Sequence, residues 1–375
     1  MVDWAIVTGE YPPQTGGVSD YTRQIAEGLI DAGAEVAVFA PEIVPRGNEH
    51  SFVHRLPGRF GPRGLWRLKR ELDRLRPRRI LLQYTPHAFG WKAANLPLCL
   101  LLSHIGANGC DLRIMYHEVA LPFMARRPAI MTLAMTQRLM AQVLGTRAQR
   151  VYVSTPSWRR LIGSRGSKQE ARWLPVPANV PSDPPASFVA TARRAATNGD
   201  SRVEVIGHFG TFGDAVTPLL RPLIGSLFEQ RPNARLQLIG RGADRFRRSL
   251  NGVAWGDRVS VAENLTAVEV SARLKASDVV VQPYPDGVTT RRSTAMASLA
   301  CGAPLVTNLG ALSEPLWKVD APAAAAHGPD PAAVAALAGR LLDDADLRRR
   351  LGDQGRAYYD RTFSIRHSIQ ALLDD

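Results

Sequence analysis

The sequence has 375 residues, enough for two domains of ordinary size, each with its own hydrophobic core. Its composition, 45% hydrophobic and 22% charged, excludes wholesale disorder. Lys and Arg number 47 against 34 Asp and Glu, so the formal net charge is +13, which is typical of proteins that bind a polyanion, an anionic membrane or a phosphorylated ligand.

Other protein classes are excluded by local features of the sequence. No run of about 18 apolar residues is present, so no membrane-spanning helix is expected. The first residues run directly into a predicted strand, so no signal peptide is expected either. The three cysteines, Cys99, Cys110 and Cys301, are odd in number and widely spaced, which fits neither a disulfide framework nor a zinc site and predicts a cytoplasmic location.

The first forty residues predict a strand, a glycine-containing loop, a helix and a second strand. Residues 4–7 form a short apolar run, and a loop over residues 10–17 follows. Apolar residues then recur at helical spacing as far as Ile30, and residues 35–40 form the next apolar run. This order predicts a βαβ unit with parallel strands.

The alternation continues along the rest of the chain. Further strands are predicted at 79–83, 112–116, 150–154, 203–206, 236–239, 259–261, 279–282 and 305–307. Helices are predicted at 96–104, 128–144, 217–230, 267–276, 290–300, 331–342, 345–352 and 365–373. The fold class is therefore α/β, with two doubly wound Rossmann-like domains facing a cleft.

The domain boundary is predicted where the periodicity fades into a Pro- and Ala-rich stretch, between residues 179 and 200. We assign residues 1–178 to an N-terminal domain and residues 179–355 to a C-terminal domain. The C-terminal helix, within residues 356–375, is expected to pack back on the N-terminal domain.

Open parallel sheets bind ligands at the carboxyl ends of their strands, so the loops after strands hold the candidate site residues. Gly16 and Gly17 lie between a strand and a helix, where backbone amides can approach an anion; a simple tight turn is the alternative. His117 directly follows a strand and can donate a hydrogen bond to a sugar hydroxyl or a phosphate, although a lone histidine is more often structural. No other histidine has metal-ligand spacing to it.

The segment 283–294 is the most informative loop, because it joins a strand to a helix and combines hydroxyls with two adjacent arginines. Thr289, Thr290, Arg291 and Arg292 offer amides, hydroxyls and guanidinium groups that suit a diphosphate. The alternative is a helix cap followed by solvated arginines.

Taken in order, several segments resemble the retaining glycosyltransferases of family 4, which have the GT-B fold. The opening EYPPQTGGVSDYTRQIAEGLIDAGAEVAVFAP is similar to the start of that family, and IMYHEV is similar to its strand-then-histidine element. In the second half, RLQLIGRG, RVSVAENLTAVEVSARLKASDVVVQPYPDG and ACGAPLVTN resemble the family's C-terminal domain in the same order. The resemblance extends over nearly the whole chain.

The resemblance implies transfer of a sugar from a nucleotide diphosphate sugar to an acceptor, with retention at the anomeric carbon. It implies no cofactor and no metal ion, since protein groups stabilise the leaving diphosphate. The donor is expected in the C-terminal domain and the acceptor against the N-terminal one. Gly16 and Gly17 are expected to contact phosphate, and His117 the donor sugar or the transition state.

Two departures from the family pattern are present. Counting back from Gly302 without gaps places Ala297 and Thr289 where the family carries two glutamates; allowing an inserted helical turn places Asp286 and Thr294 there instead. We prefer Asp286, with a role in recognising the sugar hydroxyls. The family's Arg and Lys for the diphosphate are also missing, and Arg291 with Arg292, or else Arg241, are the expected replacements.

The acceptor is unidentified. Tyr84, His87 and Phe89 follow an N-terminal strand and suit a sugar ring, although a packed loop is an equal alternative. Glycan, lipid-linked and small-molecule acceptors all stay open.

Three competing functions stay open as well. The missing glutamates and the missing basic pair are the reason to consider a pseudo-glycosyltransferase, a non-catalytic partner subunit, or a catalyst that joins a non-sugar, although a glycosyltransferase is preferred. The basic run from Arg55 to Arg79 suggests nucleic acid, but it carries no nucleic-acid motif, which disfavours that function. The same run, with residues 123–127 and Met131, Met135 and Met140, suggests peripheral contact with an anionic membrane, although core packing of the methionines is the preferred interpretation.

Overall fold

The computed structural model describes residues 2–14, 16–42, 50–90, 93–121, 123, 128–162, 170–253 and 255–374. The chain forms two compact units. Unit 1 comprises Met1–Pro175 together with Ile365–Asp375, and unit 2 comprises Val176–Ser364. Of the residues named above, 124–127 lie outside the described part of the chain.

Within the described residues, unit 1 contains a seven-stranded parallel sheet in the order β3-β2-β1-β4-β5-β6-β7. Its strands are β1 (Trp4–Thr8), β2 (Val36–Pro41), β3 (Val53–Leu56), β4 (Arg79–Tyr84), β5 (Asp111–Tyr116), β6 (Arg150–Val153) and β7 (Arg172–Trp173). The central strand β1 places Ile6 opposite Val38 and Leu81. These strands are apolar runs because helices cover both faces of the sheet.

The helices of unit 1 lie in two layers. They are α1 (Gly17–Asp31), α2 (Pro62–Leu75), α3 (Leu96–Ala107), α4 (Pro128–Gly145), α5 (Arg159–Ile162) and α14 (Ile365–Asp374). Leu68 of α2, Leu102 of α3 and Leu144 of α4 share one core cluster with one face of the sheet. Right-handed crossovers place α1 on the opposite face, and α14 packs against α1. The buried Arg113 donates to the Leu372 carbonyl, which fastens α14 to β5.

Unit 2 repeats this architecture with six described strands in the order β10-β9-β8-β11-β12-β13, all parallel. The strands are β8 (Val205–Phe209), β9 (Arg235–Ile239), β10 (Val259–Ala262), β11 (Val279–Gln282), β12 (Leu305–Asn308) and β13 (Ala324–Ala326). The helices are α6 (Ala186–Thr197), α7 (Thr217–Gln230), α8 (Ala243–Ser249), α9 (Ala267–Lys275), α10 (Ser293–Ala300), α11 (Leu316–Val319), α12 (Pro331–Asp343) and α13 (Ala345–Thr362). Leu223 and Leu227 of α7 pack with Val334 and Ala338 of α12 over Val281 of β11.

The stretch between residues 179 and 200, where the sequence periodicity fades, contains a helix, α6. Ala192 of α6 packs against Ala272 of α9 and against Ala276, which directly follows α9, so α6 belongs to unit 2. The apolar stripe of α6 consists of alanines, which bury little area and give a weak periodic signal. No helix within the described residues is both long and apolar enough to span a bilayer.

Candidate functional site

In each unit, the strand order of the sheet reverses at one point. The loops at the carboxyl ends of the strands on either side of that point can be compared between the two units. That point lies between β1 and β4 in unit 1 and between β8 and β11 in unit 2. Ligands of open α/β sheets bind in the crevice at such a switch point. Predicted site residues follow strands at or beside the switch point of each unit, so each unit is described by itself.

A pocket of about 210 Å³ lies at the switch point of unit 2. The residues lining it come from the ends of β8 and β11 and the start of α10: His208, Phe209, Gly210, Thr211, Val216, Pro283, Tyr284, Arg291, Arg292, Ser293 and Thr294. The predicted Arg291 and Arg292 are therefore part of the pocket. Arg241, on the loop after β9, is exposed and is not among the lining residues.

Asp286 binds both arginines of this pocket. Its two carboxylate oxygens accept one hydrogen bond each from Arg291 (Nη2 to Oδ2, 3.1 Å) and Arg292 (Nη2 to Oδ1). The Arg292 guanidinium also lies over the Tyr284 ring, 4.7 Å from its centre. Because all these groups are mostly buried, the arginines are held in place before any ligand arrives, and the three charged groups together carry a net positive charge.

The backbone of this loop is fixed by a close approach to the segment after β12. Gly287 has φ of +86°, and a Cβ there would lie 2.2 Å from the Gly310 nitrogen. The Asp286 carbonyl accepts from the Leu312 nitrogen. Only glycine suits this position, since a side chain would collide with backbone atoms in a conformation that L-residues rarely adopt.

The predicted threonines serve the loop rather than the pocket. The Thr290 hydroxyl donates to Glu314 Oε1 at 2.7 Å, and its backbone nitrogen donates to the same carboxylate. Trp317 Nε1 donates to Glu314 Oε2 at 2.9 Å. Thr289 is fully buried, and its hydroxyl has no hydrogen-bond partner within the described residues. Glu314 is thus a buried anchor for the loop over residues 283–292, which we call the arginine loop. Sequence reasoning missed this residue.

His208 is a second residue of the pocket that sequence reasoning missed. Its Nδ1 donates to the Val281 carbonyl at 2.7 Å, which leaves Nε2 as an acceptor. Nε2 is buried and has no hydrogen-bond partner within the described part of the chain. Burial lowers the pKa of His208 to about 4, so the ring is neutral near pH 7. A histidine near the end of a strand, two residues before Gly210, was the available signal.

In unit 1, Gly16 lies at the start of α1 as predicted, but a carboxylate already occupies the anion position there. Glu10 Oε1 accepts from the Ser19 nitrogen at 3.2 Å. A Cβ on Gly16 would lie 2.7 Å from that same oxygen, so the absence of a side chain at Gly16 makes room for Glu10. Burial raises the pKa of Glu10. Gly17 begins α1 itself.

His117 follows β5 and is buried beside the switch point of unit 1. Its Nε2 donates to Gln83 Oε1 at 2.7 Å, and its ring meets the Tyr21 ring edge-on at 4.9 Å between centres. The His117 carbonyl accepts from Ser154 and Trp158, which holds the backbone in place. Burial lowers the pKa of His117 to about 4. It is therefore a neutral hydrogen-bonding group near pH 7.

The acceptor candidates separate into a core residue and a surface residue. Tyr84 and Phe89 are both 1% exposed and belong to the core of unit 1, because strand alternation turns Tyr84 toward the same face as Leu82. His87 is exposed, and its Nδ1 lies 3.3 Å from Glu118 Oε2. That hydrogen bond raises the pKa of His87.

Comparison with known proteins agrees with this architecture. Residues 16–179 match the family described as "Glycosyl transferase 4-like domain", and residues 219–374 match the family described as "Glycosyl transferase-like". A search of curated proteins finds no match.

Solved structures share the fold over almost the whole chain. Sucrose-phosphate synthase from Thermosynechococcus elongatus is 17% identical with a TM-score of 0.73, covering 99% of this chain and 98% of that one. Anabaena HepE, solved with UDP and glucose, is 15% identical with a TM-score of 0.70, covering 100% and 99%. WaaG, a glycosyltransferase involved in lipopolysaccharide biosynthesis, is 14% identical with a TM-score of 0.70, covering 95% of each chain. The two domain matches and the shared fold together identify this chain as a GT-B glycosyltransferase of the family 4 and family 1 type.

Proposed function

We propose that this protein transfers a sugar from a nucleotide diphosphate sugar to an acceptor, with retention of configuration and without a metal ion or other cofactor. The observation that carries this proposal is the pocket of unit 2, which presents two pre-positioned arginines at the switch point of a Rossmann-like sheet. The retaining outcome follows from the family resemblance.

Arg291 and Arg292 supply the positive charge that the departing diphosphate needs. Negative charge develops on that diphosphate as the sugar–phosphate bond breaks, and guanidinium groups held in a mostly buried site stabilise it without reorganising. The start of α10 at Ser293 adds backbone amides on the same side. Asp286 keeps both arginines aimed into the pocket and is the candidate for recognising a sugar hydroxyl.

His208 makes one side of the pocket chemically different from the side that holds the arginines. Its Nε2 lone pair accepts a hydrogen bond from a hydroxyl or an N–H group and repels an ionised phosphate oxygen. We therefore assign the arginine side of the pocket to the diphosphate and the His208 side to a hydroxyl-bearing part of the donor. Thr289 and Thr290 act through the loop conformation, and Arg241 is an outer contact at most.

Unit 1 is assigned to the acceptor. His117 acts there as a neutral hydrogen-bonding group rather than as a cation, because its pKa is far below 7. His87 is the accessible candidate beside it, whereas Tyr84 supports the core. The phosphate contact of Gly16 and Gly17 stays a prediction, and the carboxylate of Glu10 opposes it by like-charge repulsion.

The nucleotide is tested first by a thermal-shift screen against UDP-, GDP- and ADP-sugars. HepE was solved in complex with UDP-glucose, so a UDP-sugar is the first probe. A ligand at about 100 times its Kd stabilises the folded state by about 2.7 kcal/mol, which raises the melting temperature measurably. Absence of any shift with all three nucleotides would contradict the proposed function.

A non-catalytic GT-B subunit, or a catalyst that joins a non-sugar, is the second candidate. The position of the family's second glutamate is held by Thr294 or by the fully buried Ala297, and neither can act as a carboxylate. Mass spectrometry of each nucleotide sugar after incubation with the protein separates the candidates. Donor hydrolysis or sugar transfer supports the first function, whereas binding without turnover supports the second.

We also propose a cytoplasmic location. Cys99 and Cys301 are buried as free thiols and Cys110 is partly buried, and none of the three forms a disulfide in the described residues. Free thiols are typical of a reducing compartment.

A further inference from the structure

Unit 1 exposes large apolar side chains on one side. Twelve large hydrophobic residues are exposed among the described residues, and seven of them lie on or beside α3, α4 and α2. We call these seven the apolar patch: Trp66, Leu100, Leu121, Phe123, Met131, Met135 and Leu139. Their exposed fractions run from 37% to 63%. A concentration of this kind marks an interaction surface rather than scattered exposure.

The sheet topology explains why these residues share one surface. The helices α2, α3 and α4 connect β3 to β4, β4 to β5 and β5 to β6, and all three pack on the same face of the sheet. They therefore lie side by side in that order, and their outward faces form a single surface.

The three helices also begin at the same edge. Because each follows a strand of a parallel sheet, their N-terminal ends lie near the carboxyl ends of the strands. Trp66 and Leu100 are in the first half of α2 and α3, and Leu121 and Phe123 lie between β5 and α4. The apolar patch is thus displaced toward the edge that carries His87 and His117.

Helix α4 shows the arrangement most clearly. Met131, Met135 and Leu139 are spaced by four residues and form an exposed stripe, while Met140 and Leu144 are buried on the other side. The expectation that the methionines serve as core packing is therefore wrong for Met131 and Met135 and right for Met140. Helix α4 has apolar side chains on both its buried and its exposed side. The sequence periodicity alone therefore cannot tell which stripe faces the core.

Positive charge borders the apolar patch. Helix α2 exposes Arg63, Arg67, Arg70 and Arg74, and the Arg70 guanidinium lies 4.7 Å from the centre of the Trp66 ring. Arg63 and Arg67 form no ion pair with any described residue. By contrast, Arg55 of the basic run is buried and donates to the Pro41 carbonyl, so it is not part of this surface.

We infer that the outward face of α2, α3 and α4 docks on an anionic lipid bilayer. The apolar side chains match the acyl boundary, and the unpaired arginines match the negative headgroups. A protein partner of ordinary composition would cover the apolar patch but would leave Arg63 and Arg67 without counter-charges, whereas Arg70 and Arg74 already pair with Glu71. Docking by this face holds the strand edge of unit 1 close to the bilayer, which favours a lipid-linked acceptor.

The test is co-sedimentation of the full chain with vesicles of phosphatidylcholine alone and with about 30% phosphatidylglycerol, at low and at physiological salt. We expect pelleting with the anionic vesicles only, weakened by salt. The variant R63Q/R67Q should reduce the partition coefficient by about tenfold or more, since each basic residue near the surface contributes about 1 kcal/mol. The variant M135Q/L139Q should reduce it by a similar factor, because it removes the inserted apolar area.

Matched controls come from unit 2. R245Q/R350Q removes two exposed arginines, and F188Q/V319Q removes two exposed apolar side chains, so neither pair should change pelleting. All four variants are at exposed positions, and an unchanged melting temperature confirms their folding. The inference is overturned if the protein does not pellet, if neutral vesicles bind it equally well, or if the unit 2 variants have the same effect as the unit 1 variants.

Self-association is the remaining outcome. If sedimentation velocity shows a dimer in solution that M135Q/L139Q dissociates, a second copy of the chain covers the apolar patch and the membrane inference is wrong. Nucleotide-sugar binding is measured separately and does not bear on this result, so failure here leaves the proposed function standing.

Discussion

The two units share an architecture but differ in the charged groups at the equivalent edge of their sheets. At the switch point of unit 2, Arg291 and Arg292 line a pocket and Asp286 holds them there. In unit 1, the corresponding edge carries Glu10 against the start of α1 and Glu118 beside His87. The same backbone geometry, a strand followed by a helix N-terminus, holds an internal carboxylate in unit 1, and we propose that it meets the donor diphosphate in unit 2.

This difference shows what a helix N-terminus can and cannot indicate. Its backbone amides favour any negative charge, and the protein's own glutamate meets that demand in unit 1. The presence of guanidinium groups distinguishes the two edges, because only they add net positive charge to the amides. On this ground we propose that the anionic part of the donor binds unit 2.

The double variant Arg291→Ala with Arg292→Ala tests this assignment most strongly. Each guanidinium–phosphate hydrogen bond contributes about 1.5–3 kcal/mol, so removing both should weaken nucleotide-sugar binding by at least about 100-fold. Isothermal titration with the nucleotide sugar selected by thermal shift measures the change. Arg245→Ala with Arg350→Ala, two exposed arginines of the same unit, is the control. Retained affinity in the first variant would mean that the anion site lies elsewhere.

Each unit also holds a buried neutral histidine at this edge, and both histidines should lower the stability of the fold at acidic pH. His117 and His208 have pKa values of about 4 in the folded protein against 6.5 as the ordinary value. The unfolded chain therefore binds more protons between pH 4 and 6.5, and stability falls as the pH drops through that window. Each histidine accounts for about 3 kcal/mol by pH 4.

Urea unfolding of the wild type, H117Q and H208Q across that pH range measures this loss. Each variant should reduce the pH dependence of the unfolding free energy by the contribution of one histidine. H327Q, at an exposed position, is the control. If only one of H117Q and H208Q reduces the pH dependence, the two edges do not both hold a buried neutral histidine.

Much of the fold is predictable from sequence because parallel strands buried on both faces are short apolar runs that alternate with helices. Several helices have no counterpart among the predicted ones, and α2 and α6 show the physical reason. In α2, three buried positions including Leu68 and Leu72 stand among charged residues, and in α6 the buried stripe is made of alanines. Low apolar content at the buried positions leaves little for periodicity to detect.

The candidate site divides in a similar way. Asp286, Arg291 and Arg292 lie within one loop, so their proximity follows directly from the chain. Glu314 reaches Thr290 across 24 residues, and His208 reaches Val281 across 73, so these contacts depend on how the sheet is ordered. Polar residues that acquire a role only through tertiary contact have no local pattern to predict them.

Glu314 tests whether the arginine loop depends on its buried anchor. Glu314→Gln keeps the size of the side chain but places an amide N–H₂ where a carboxylate oxygen accepts hydrogen bonds. Leaving one such buried donor unsatisfied costs about 1–3 kcal/mol, which urea unfolding would measure. We also expect weaker nucleotide-sugar binding, since Thr290, which Glu314 holds, directly precedes Arg291 and Arg292. If Glu314→Gln is destabilised but binds the nucleotide sugar unchanged, Glu314 anchors the loop without supporting the anion site.

The smallest effect is expected at the exposed pair of His87 and Glu118 in unit 1. Hydrogen bonding to Glu118 raises the pKa of His87, so the pair stabilises the fold below the ordinary pKa of 6.5 and loses that contribution as the pH rises through the raised value. Because both side chains are well exposed, a double-mutant cycle with H87A and E118Q should give a coupling of less than about 1 kcal/mol at pH 6 and none at pH 9. A larger coupling that persists at pH 9 would show that a desolvated contact holds the two residues together. The edge of unit 1 would then be a rigid, pre-formed site like that of unit 2, and the contrast between the two edges would rest on charge alone.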